Sequence, residues 1–254
     1  TLTLTLTLTL TLTLTLTLAL TLTLALAPTP TLTQTKARAF CTRTPLLNVQ
    51  ECEAAVAAAE AHAASHGGWT TSRHYAVPTT DLPVHGAPGL LSWFNVTLRD
   101  VIFPAVAQVT GASAEKLRVI DAFCVRYDAS AQRALPLHSD QSEYSITLPL
   151  NDKSEYEGGG TFFAELDRAV NSDAGGLVVF PGSLYHAGAP TTKGRRYVIV
   201  AFLFEDSDAD ELERRLDGAD GRDARWGHVA HAQPRAKPQP KPQPKPQPKP
   251  RAGR

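Results

Sequence analysis

Two side chains that can bind a metal ion lie two residues apart in the stretch LPLHSDQSEYSITLPL, residues 135–150. The alternating residues that follow predict a strand, in which residues i and i+2 point to the same side, about 6–7 Å apart. His138 and Asp140 can therefore reach one ion. His186, in FPGSLYHAGAP, is the third candidate, because strands distant in sequence become neighbours across a closed barrel. Two histidines and one carboxylate form the facial triad that binds Fe(II) and leaves coordination positions open.

An arginine at the start of an apolar strand is the second chemical feature. Arg196 shares its strand face with three apolar residues, and no Asp or Glu follows it in the strand before Glu205. A guanidinium that faces an apolar barrel needs an anion, and bidentate pairing with a carboxylate satisfies it best. A cosubstrate that brings a carboxylate would fit. Strand alternation places Arg195 on the opposite face, outside the pocket.

Helices are predicted before the strands that carry these residues. Asn48 with Glu51 forms the start signal of a helix, and Gly67–Gly68 ends it. The helical spacing on which this prediction rests is that of Val49, Cys52, Val56 and Ala59. A second helix is predicted at about 90–109, kinked or restarted at Pro104. Its apolar face would consist of Leu91, Phe94, Leu98, Val101 and Ile102.

A series of short apolar runs after Gly111 predicts strands. Runs rich in Val, Ile, Phe and Tyr fall near 118–127, 135–138, 144–151, 160–166, 176–181, 184–187 and 196–204. Several short strands at this spacing are typical of a β-sandwich or barrel, and preceding helices would pack on one side of it. The segment 196–204 is apolar on both faces, which predicts a central strand that is covered on both sides.

The two ends of the chain differ from its centre. Residues 1–35 form a low-complexity Thr/Leu tract, and residues 233–254 contain a Lys-Pro-Gln-Pro repeat that favours extended polyproline II. Between them we predict a catalytic domain at 36–207 and a polar connector at 208–232. The alternating run 1–24 allows three interpretations: an unstructured tract, a signal anchor or membrane helix, or an ordered strand.

Charge and cysteines limit the functional classes. Of 25 basic and 25 acidic residues, seven basic ones fall within 235–254, so the rest of the chain carries a net charge of −7. An acidic core disfavours binding to a phosphate backbone, and we expect no nucleic-acid partner. The basic tail is interpreted as a solvated spacer or as a contact for anionic partners. Cys41, Cys52 and Cys124 match neither a zinc pattern nor a disulfide framework.

Several motifs together resemble the Fe(II)/2-oxoglutarate dioxygenases, in particular the prolyl 4-hydroxylase-like group. In order, they are VRYDAS, LHSDQS, TLPLN, YEGGGTFF, GGLVVFPGSLYHAG and GRRYVIVAFL, between about 118 and 204. The resemblance implies a mainly β fold with supporting helices (α+β), in which N-terminal helices pack on one side of a double-stranded β-helix, or jelly roll. It is looser over 45–117 and does not extend to the two ends.

The resemblance also implies residue roles and cofactors. His138, Asp140 and His186 would bind Fe(II), and Arg196 would pair with the C5 carboxylate of 2-oxoglutarate. Tyr127 and Thr161 match positions that often hydrogen-bond the same carboxylate. Hydroxylation of an aliphatic carbon would consume O₂ and convert 2-oxoglutarate to succinate and CO₂, and L-ascorbate is a further candidate cofactor. Prolyl 4-hydroxylases proper usually carry lysine at the Arg196 position, which leaves the substrate open.

The substrate has three candidate classes: a peptidyl proline, another protein side chain, or a small molecule. The loop 68–84 could cover the barrel mouth, with Arg73, His74 and Asp81 as candidate contacts. Two other functions compete with this interpretation. Related nucleic-acid dealkylases usually carry a second arginine where this chain has Phe202, and a non-catalytic binding module would usually have lost a metal ligand or the arginine.

Partners and location depend on the chain ends. We expect a protein, peptide or small-molecule substrate, and contact with a membrane only through residues 1–24. If that tract is a signal anchor, an endoplasmic-reticulum or secretory membrane location is expected, and otherwise a cytoplasmic one. The sequence does not indicate an oligomeric state.

Overall fold

The structure, a computed structural model, describes residues 32–34, 39–74, 77–206 and 225–226. The Thr/Leu tract 1–24 and the Lys-Pro-Gln-Pro tail lie outside these residues. The helices are α1 Val49–Ser65, α2 Pro88–Thr97 and α3 Phe103–Thr110, with a π-helix Leu98–Ile102 and 3₁₀ turns Val84–Gly86, Lys153–Glu155 and Ala164–Leu166. The strands are β1 Leu32–Gln34, β2 Phe40–Thr42, β3 Asp81–Pro83, β4 Leu117–Asp128, β5 Tyr144–Pro149, β6 Tyr156–Gly158, β7 Thr161–Phe163, β8 Arg168–Val170, β9 Val178–Pro181, β10 His186–Gly188 and β11 Thr191–Glu205.

Two antiparallel sheets form the β core. The larger has the order β1-β2-β9-β5-β11-β4-β3, with β6 also paired to β11, and the smaller has the order β10-β7-β8. An isolated bridge between His138 and His186 extends the smaller sheet. The predicted fold, a mainly β jelly-roll core with supporting helices, is confirmed.

The long strand β11 divides the domain into a helix side and a cavity side. Its odd-numbered residues Tyr197, Ile199, Ala201 and Leu203 belong to the apolar core that the helices share. Its even-numbered residues Arg196, Val198, Val200 and Phe202 line a cavity. The central position predicted for this strand is correct, because β4 and β5 pair with its two edges. The face with the odd-numbered residues is packed against the rest of the core, whereas the face with the even-numbered residues forms a wall of the cavity.

Helix α1 begins at the predicted capping box and packs through its smallest side chains. Asn48 accepts from the Glu51 amide at 2.9 Å, and Glu51 accepts from the Asn48 amide at 2.9 Å. The buried side consists of Cys52, Ala55, Ala59 and Ala63. Val49 is 46% exposed, so the predicted apolar face was centred incorrectly. The small side chain of alanine allows the helix to approach the rest of the core closely.

The second predicted helix is present as one continuous helical run from Pro88 to Thr110, and it changes hydrogen-bonding pattern before Pro104. The Phe103 amide donates to the Leu98 carbonyl across a π-turn, and α3 restarts with proline in its first turn. Proline lacks an amide donor and is tolerated there. Among the described residues, this run alone meets the length and hydropathy of a membrane span, but half of it is buried inside the domain. Burial of this kind is typical of a core helix.

The described segment 225–226 packs against the helices and β4 and completes the core. Trp226 is 1% exposed and packs edge-on against Phe94, and its Nε1 donates to the side-chain oxygen of Asn95 at 2.9 Å. The Val119 amide donates to the Arg225 carbonyl at 2.8 Å. The predicted connector 208–232 therefore contains residues that pack within the domain. The predicted boundary at 207 omits them.

Several strands differ from the sequence prediction. The run predicted at 135–138 forms only the bridge at His138, and the run at 160–166 ends as a strand at Phe163. Strands β2, β3, β6 and β8 were not predicted, and each is three residues long. Three residues are too few for an alternating pattern to emerge.

Candidate metal and cosubstrate site

The three metal-capable side chains converge at the mouth of the β core. The candidate ligand atoms of His138, Asp140 and His186 all lie within 4.8 Å of one another. Nε2 of His138 is 3.6 Å from Asp140 Oδ1, and Nε2 of His186 is 3.4 Å from Asp140 Oδ2. Convergence arises from pairing, because His138 and His186 exchange both backbone hydrogen bonds at 2.8 Å. Directly paired residues present their side chains on the same side of a sheet.

Both imidazole rings are oriented by carbonyl groups of their own loops. Nδ1 of His138 is 2.8 Å from the Pro136 carbonyl, and Nδ1 of His186 is 2.8 Å from the Leu184 carbonyl. A carbonyl can only accept, so each Nδ1 carries the proton and each Nε2 presents a lone pair to the site. Burial lowers the pKa of His186, which also favours the neutral ring that a metal requires.

The carboxylate of Asp140 is held by a neighbouring strand. The Ser145 hydroxyl, from β5, donates to Asp140 Oδ2 at 2.6 Å, and the Asp140 amide donates to the Gly182 carbonyl at 2.8 Å. A Cβ at Gly182 would lie 2.4 Å from the Ser142 carbonyl oxygen, so this turn requires glycine. Ser145 did not stand out in the sequence, because its role depends on a contact between separate segments.

A cavity of about 600 Å³ opens beside the three ligands, and Arg196 lies in it. Arg196 is 3% exposed, and its Nε has no hydrogen-bond partner. Within the described part of the chain, no carboxylate forms an ion pair with it. The guanidinium lies over the ring of Tyr127, 5.5 Å from its centroid. An arginine buried without an anion is costly, so this end of the cavity is built for an anionic group.

The glycine-rich turn gives the Arg196 side chain its room. Gly159 has φ +74°, and a Cβ there would lie 2.7 Å from Arg196 Cδ. Tyr127 is buried next to Arg196, and burial raises its pKa to about 12, so its hydroxyl stays protonated. A Cβ at Gly188 would lie 2.6 Å from the Tyr127 hydroxyl, so that glycine also makes room for the cavity wall.

Thr161 completes the polar group at this end. Its hydroxyl lies 3.4 Å from that of Thr147, and both residues line the cavity. The structure therefore brings Tyr127, Thr161 and Arg196 into the cavity that contains the three metal-capable side chains. Arg195 points away, is 58% exposed and pairs with Asp128 at 2.7 Å, as strand alternation predicted.

The loop at 68–84 contributes a charged cluster to the cavity. Arg73 pairs with Asp81 at 3.1 Å and with Asp121 at 2.8 Å, and Nε2 of His74 lies 3.4 Å from Asp81. Arg73 and His74 line the cavity, as expected for substrate contacts. The Asp81 side chain is fully buried and accepts from the Thr79 hydroxyl. Asp81 therefore anchors the loop and is not part of the cavity lining, whereas Asp121, which the sequence did not single out, is.

Known proteins support the class that the motifs indicated. No protein-family model matches the sequence. The human multifunctional procollagen lysine hydroxylase and glycosyltransferase LH3 is 33% identical over 172 residues, which cover 63% of this chain and 23% of that protein. The Gallus gallus procollagen-lysine,2-oxoglutarate 5-dioxygenase 1 is 34% identical over 131 residues, covering 50% of this chain and 18% of that protein. The chain thus spans less than a quarter of the length of these relatives.

The fold is that of the 2-oxoglutarate oxygenases. The crystal structure of the non-heme alpha-ketoglutarate-dependent carbocyclase SnoK from nogalamycin biosynthesis matches with a TM-score of 0.54 at 14% identity, covering 73% of this chain and 93% of that one. The chain thus resembles Fe(II)/2-oxoglutarate-dependent dioxygenases in sequence and in fold, as its motifs indicated. Dioxygenases of this class use Fe(II), 2-oxoglutarate and O₂. The donor set fits Fe(II), and the unpaired Arg196 fits a dicarboxylate.

Proposed function

We propose that this chain is an Fe(II)- and 2-oxoglutarate-dependent hydroxylase of a peptidyl side chain. The observation that carries the proposal is the placement of a buried arginine without an anionic partner in the same cavity as a two-histidine, one-carboxylate cluster. A metal site alone would fit many proteins. A buried guanidinium without an anionic partner in the same cavity favours a ligand that can bind the metal and also present a carboxylate to Arg196.

Each residue of the site would have a separate task. His138, Asp140 and His186 would hold Fe(II), which when bound supplies the oxidative chemistry with O₂ and 2-oxoglutarate. Arg196 would orient 2-oxoglutarate by bidentate pairing with its C5 carboxylate. The Tyr127 and Thr161 hydroxyls would donate to the same carboxylate, since at neutral pH both keep their protons. Apolar residues of β4 and β11 would exclude water from the reacting carbon.

The substrate proposal comes from the relatives together with the cavity. The curated relatives are procollagen lysine hydroxylases by name, so a peptidyl lysine is our first choice, ahead of the peptidyl proline expected from the motifs. Arg73 and His74 line the same cavity as the candidate metal ligands, so a side chain of a peptide substrate in this cavity would contact them.

Anaerobic mixing of the purified chain with Fe(II) and 2-oxoglutarate tests the cofactor chemistry. We expect the visible charge-transfer band of the chelate, loss of the band in His186→Ala, and retention in His66→Ala, which alters an exposed histidine. Arg196→Ala should weaken 2-oxoglutarate binding about 10- to 100-fold, since charged hydrogen bonds contribute about 1.5–3 kcal/mol. Arg195→Ala is the matched control, because that neighbouring arginine points outward. A folded protein without the band would refute the proposal.

A further inference from the structure

The cavity wall formed by β4 and β11 has a different charge at each end. Paired residues follow each other along the two strands from Asp121–Phe202, through Phe123–Val200 and Val125–Val198, to Tyr127–Arg196. Six residues of strand separate the first pair from the last, about 20 Å. The cationic end takes the anionic cosubstrate in the proposed function, so the opposite end is left for the substrate.

The end that carries Asp121 lies level with the metal ligands. Phe202 pairs with Asp121 on one side and with Ser145 on the other, so the three residues form one row across the sheet. Ser145 is the residue that donates to the metal-binding carboxylate. Asp121 therefore lies two strands from Ser145, about 10 Å across the sheet. A side chain that presents a carbon to the metal would place its terminal group near Asp121.

The Asp121 carboxylate has capacity for a further partner. Its Oδ2 accepts from Arg73 at 2.8 Å, and no hydrogen bond from the described residues reaches Oδ1. The side chain is 25% exposed and lines the cavity. The rings of Phe123 and Phe202, which meet edge-on at 5.5 Å, lie beside it. The Arg73 guanidinium already lies over the Phe123 ring, 5.5 Å from its centroid, so the group left for a further cation is Oδ1 of Asp121.

Arg73 does not satisfy the Asp121 carboxylate completely. It is shared between two carboxylates, Asp81 and Asp121, and burial raises the pKa of Asp81. His74 lies beside Asp81, with its Nε2 3.4 Å from that carboxylate, and burial lowers its pKa. Asp81 is fully buried, so the carboxylate that a ligand can reach is Asp121.

We infer that Asp121 determines substrate specificity by binding the ammonium group of the side chain that is hydroxylated. The inference rests on the proposed function and adds a residue to it. Asp121 accepts a hydrogen bond from the ammonium through its free oxygen, while Arg73 holds the other oxygen in place. An uncharged side chain of the same length leaves the free oxygen of Asp121 without a partner and binds more weakly.

Binding of two peptides that differ in one group tests this role. The full chain is loaded with Ni(II) and 2-oxoglutarate, and the affinities of a lysine peptide and its norleucine analogue are measured by calorimetry. We expect the wild type to prefer lysine about 10- to 100-fold, the value of a charged hydrogen bond. Asp121→Asn should bind both peptides equally. Asp128→Asn, at the other end of β4 and also paired with an arginine, should keep the preference.

Three results would overturn the inference. The first two are a wild type that does not distinguish the peptides and a preference for lysine that persists in Asp121→Asn. The third is loss of the lysine preference in Asp121→Glu as well as in Asp121→Asn, because the glutamate keeps the charge and a loss in both variants would indicate a merely structural role. Failure of the proposed function is distinguishable, because it would appear as absent 2-oxoglutarate binding before any peptide is added.

Discussion

Replacement of Gly159 by alanine should damage the cosubstrate site through a single methyl group. Gly159 has φ +74°, and the added Cβ would lie 2.7 Å from Arg196 Cδ and 3.3 Å from its Nε. Carbon atoms prefer separations of about 3.5–4.0 Å, so the arginine must move by about 1 Å. A bidentate pair with a carboxylate does not tolerate such a shift, and one of its two hydrogen bonds should be lost.

Gly159→Ala should have two separate effects, a loss of stability and a loss of 2-oxoglutarate affinity. The left-handed backbone costs a non-glycine residue about 1–2 kcal/mol, which for a domain of this size lowers Tm by about 2–8 °C. Loss of one charged hydrogen bond costs about 1.5–3 kcal/mol, which is roughly a 10- to 100-fold rise in the Kd of 2-oxoglutarate.

Gly67→Ala is the control that separates the loss of stability from the loss of 2-oxoglutarate affinity. Gly67 has φ +85°, but a Cβ there would meet nothing within 4 Å. Thermal unfolding should therefore show similar losses of Tm for both variants, whereas titration with 2-oxoglutarate in the presence of Ni(II) should show weaker binding only for Gly159→Ala. Equal 2-oxoglutarate affinities in the two variants would refute the reasoning about Arg196.

Three further predictions concern metal affinity, stability and acid tolerance. Ser145→Ala should lower metal affinity about 10- to 100-fold in a Co(II) titration, since it removes a donor that orients a ligand. Trp226→Ala should lower the free energy of urea unfolding by about 3–5 kcal/mol, because the side chain is 1% exposed. Hydrogen bonds from Ser130, then from Arg195, lower the pKa of Asp128 to about 2. This lowered pKa stabilises the fold above about pH 4, and the contribution is lost as pH falls towards 2. Urea titrations should thus show the stability gap between wild type and Asp128→Asn narrowing over that range.

Different outcomes would contradict each of these predictions. Unchanged Co(II) affinity in the serine variant would mean that its hydroxyl does not orient the metal ligand. A tryptophan variant as stable as the wild type would show that Arg225–Trp226 does not pack in solution. A stability gap that does not change between pH 4 and pH 2 would exclude the aspartate as a source of acid sensitivity.

The sequence indicated the central chemistry because it is encoded locally. His138 and Asp140 were found from their spacing, although the strand assumed for them is reduced to a bridge at His138, and Arg196 needed only an apolar strand with no acid before Glu205. Those arguments use residues within one segment, where spacing determines direction. The assignment of His186 required a further assumption, that a closed barrel brings its strand next to His138 and Asp140.

The parts that the sequence did not reveal depend on contacts between segments. Ser145 resembles any strand serine until β5 is placed beside the loop of Asp140. Trp226 lies in a polar stretch, and its burial follows from the bridge to β4 and the packing against Phe94, which are separated from it by about a hundred residues or more. Asp121 lies inside an apolar strand, where a carboxylate reads as an interruption. Its position becomes meaningful when the pairing with Phe202 places it in a row with the metal site.

The long strand β11 also governs when the site can form during synthesis. It pairs with β4, β5 and β6, all of which precede it, and it carries Arg196. The ribosome therefore releases His138 and Asp140 on the order of several seconds before the strand that closes the sheet around them. Until then β4 and β5 lack the neighbour that joins them and expose unpaired edges. Pairing across such long sequence separations is slow. The edges of β4 and β5 that β11 covers in the folded domain are therefore open to pairing with other chains until Glu205 has emerged.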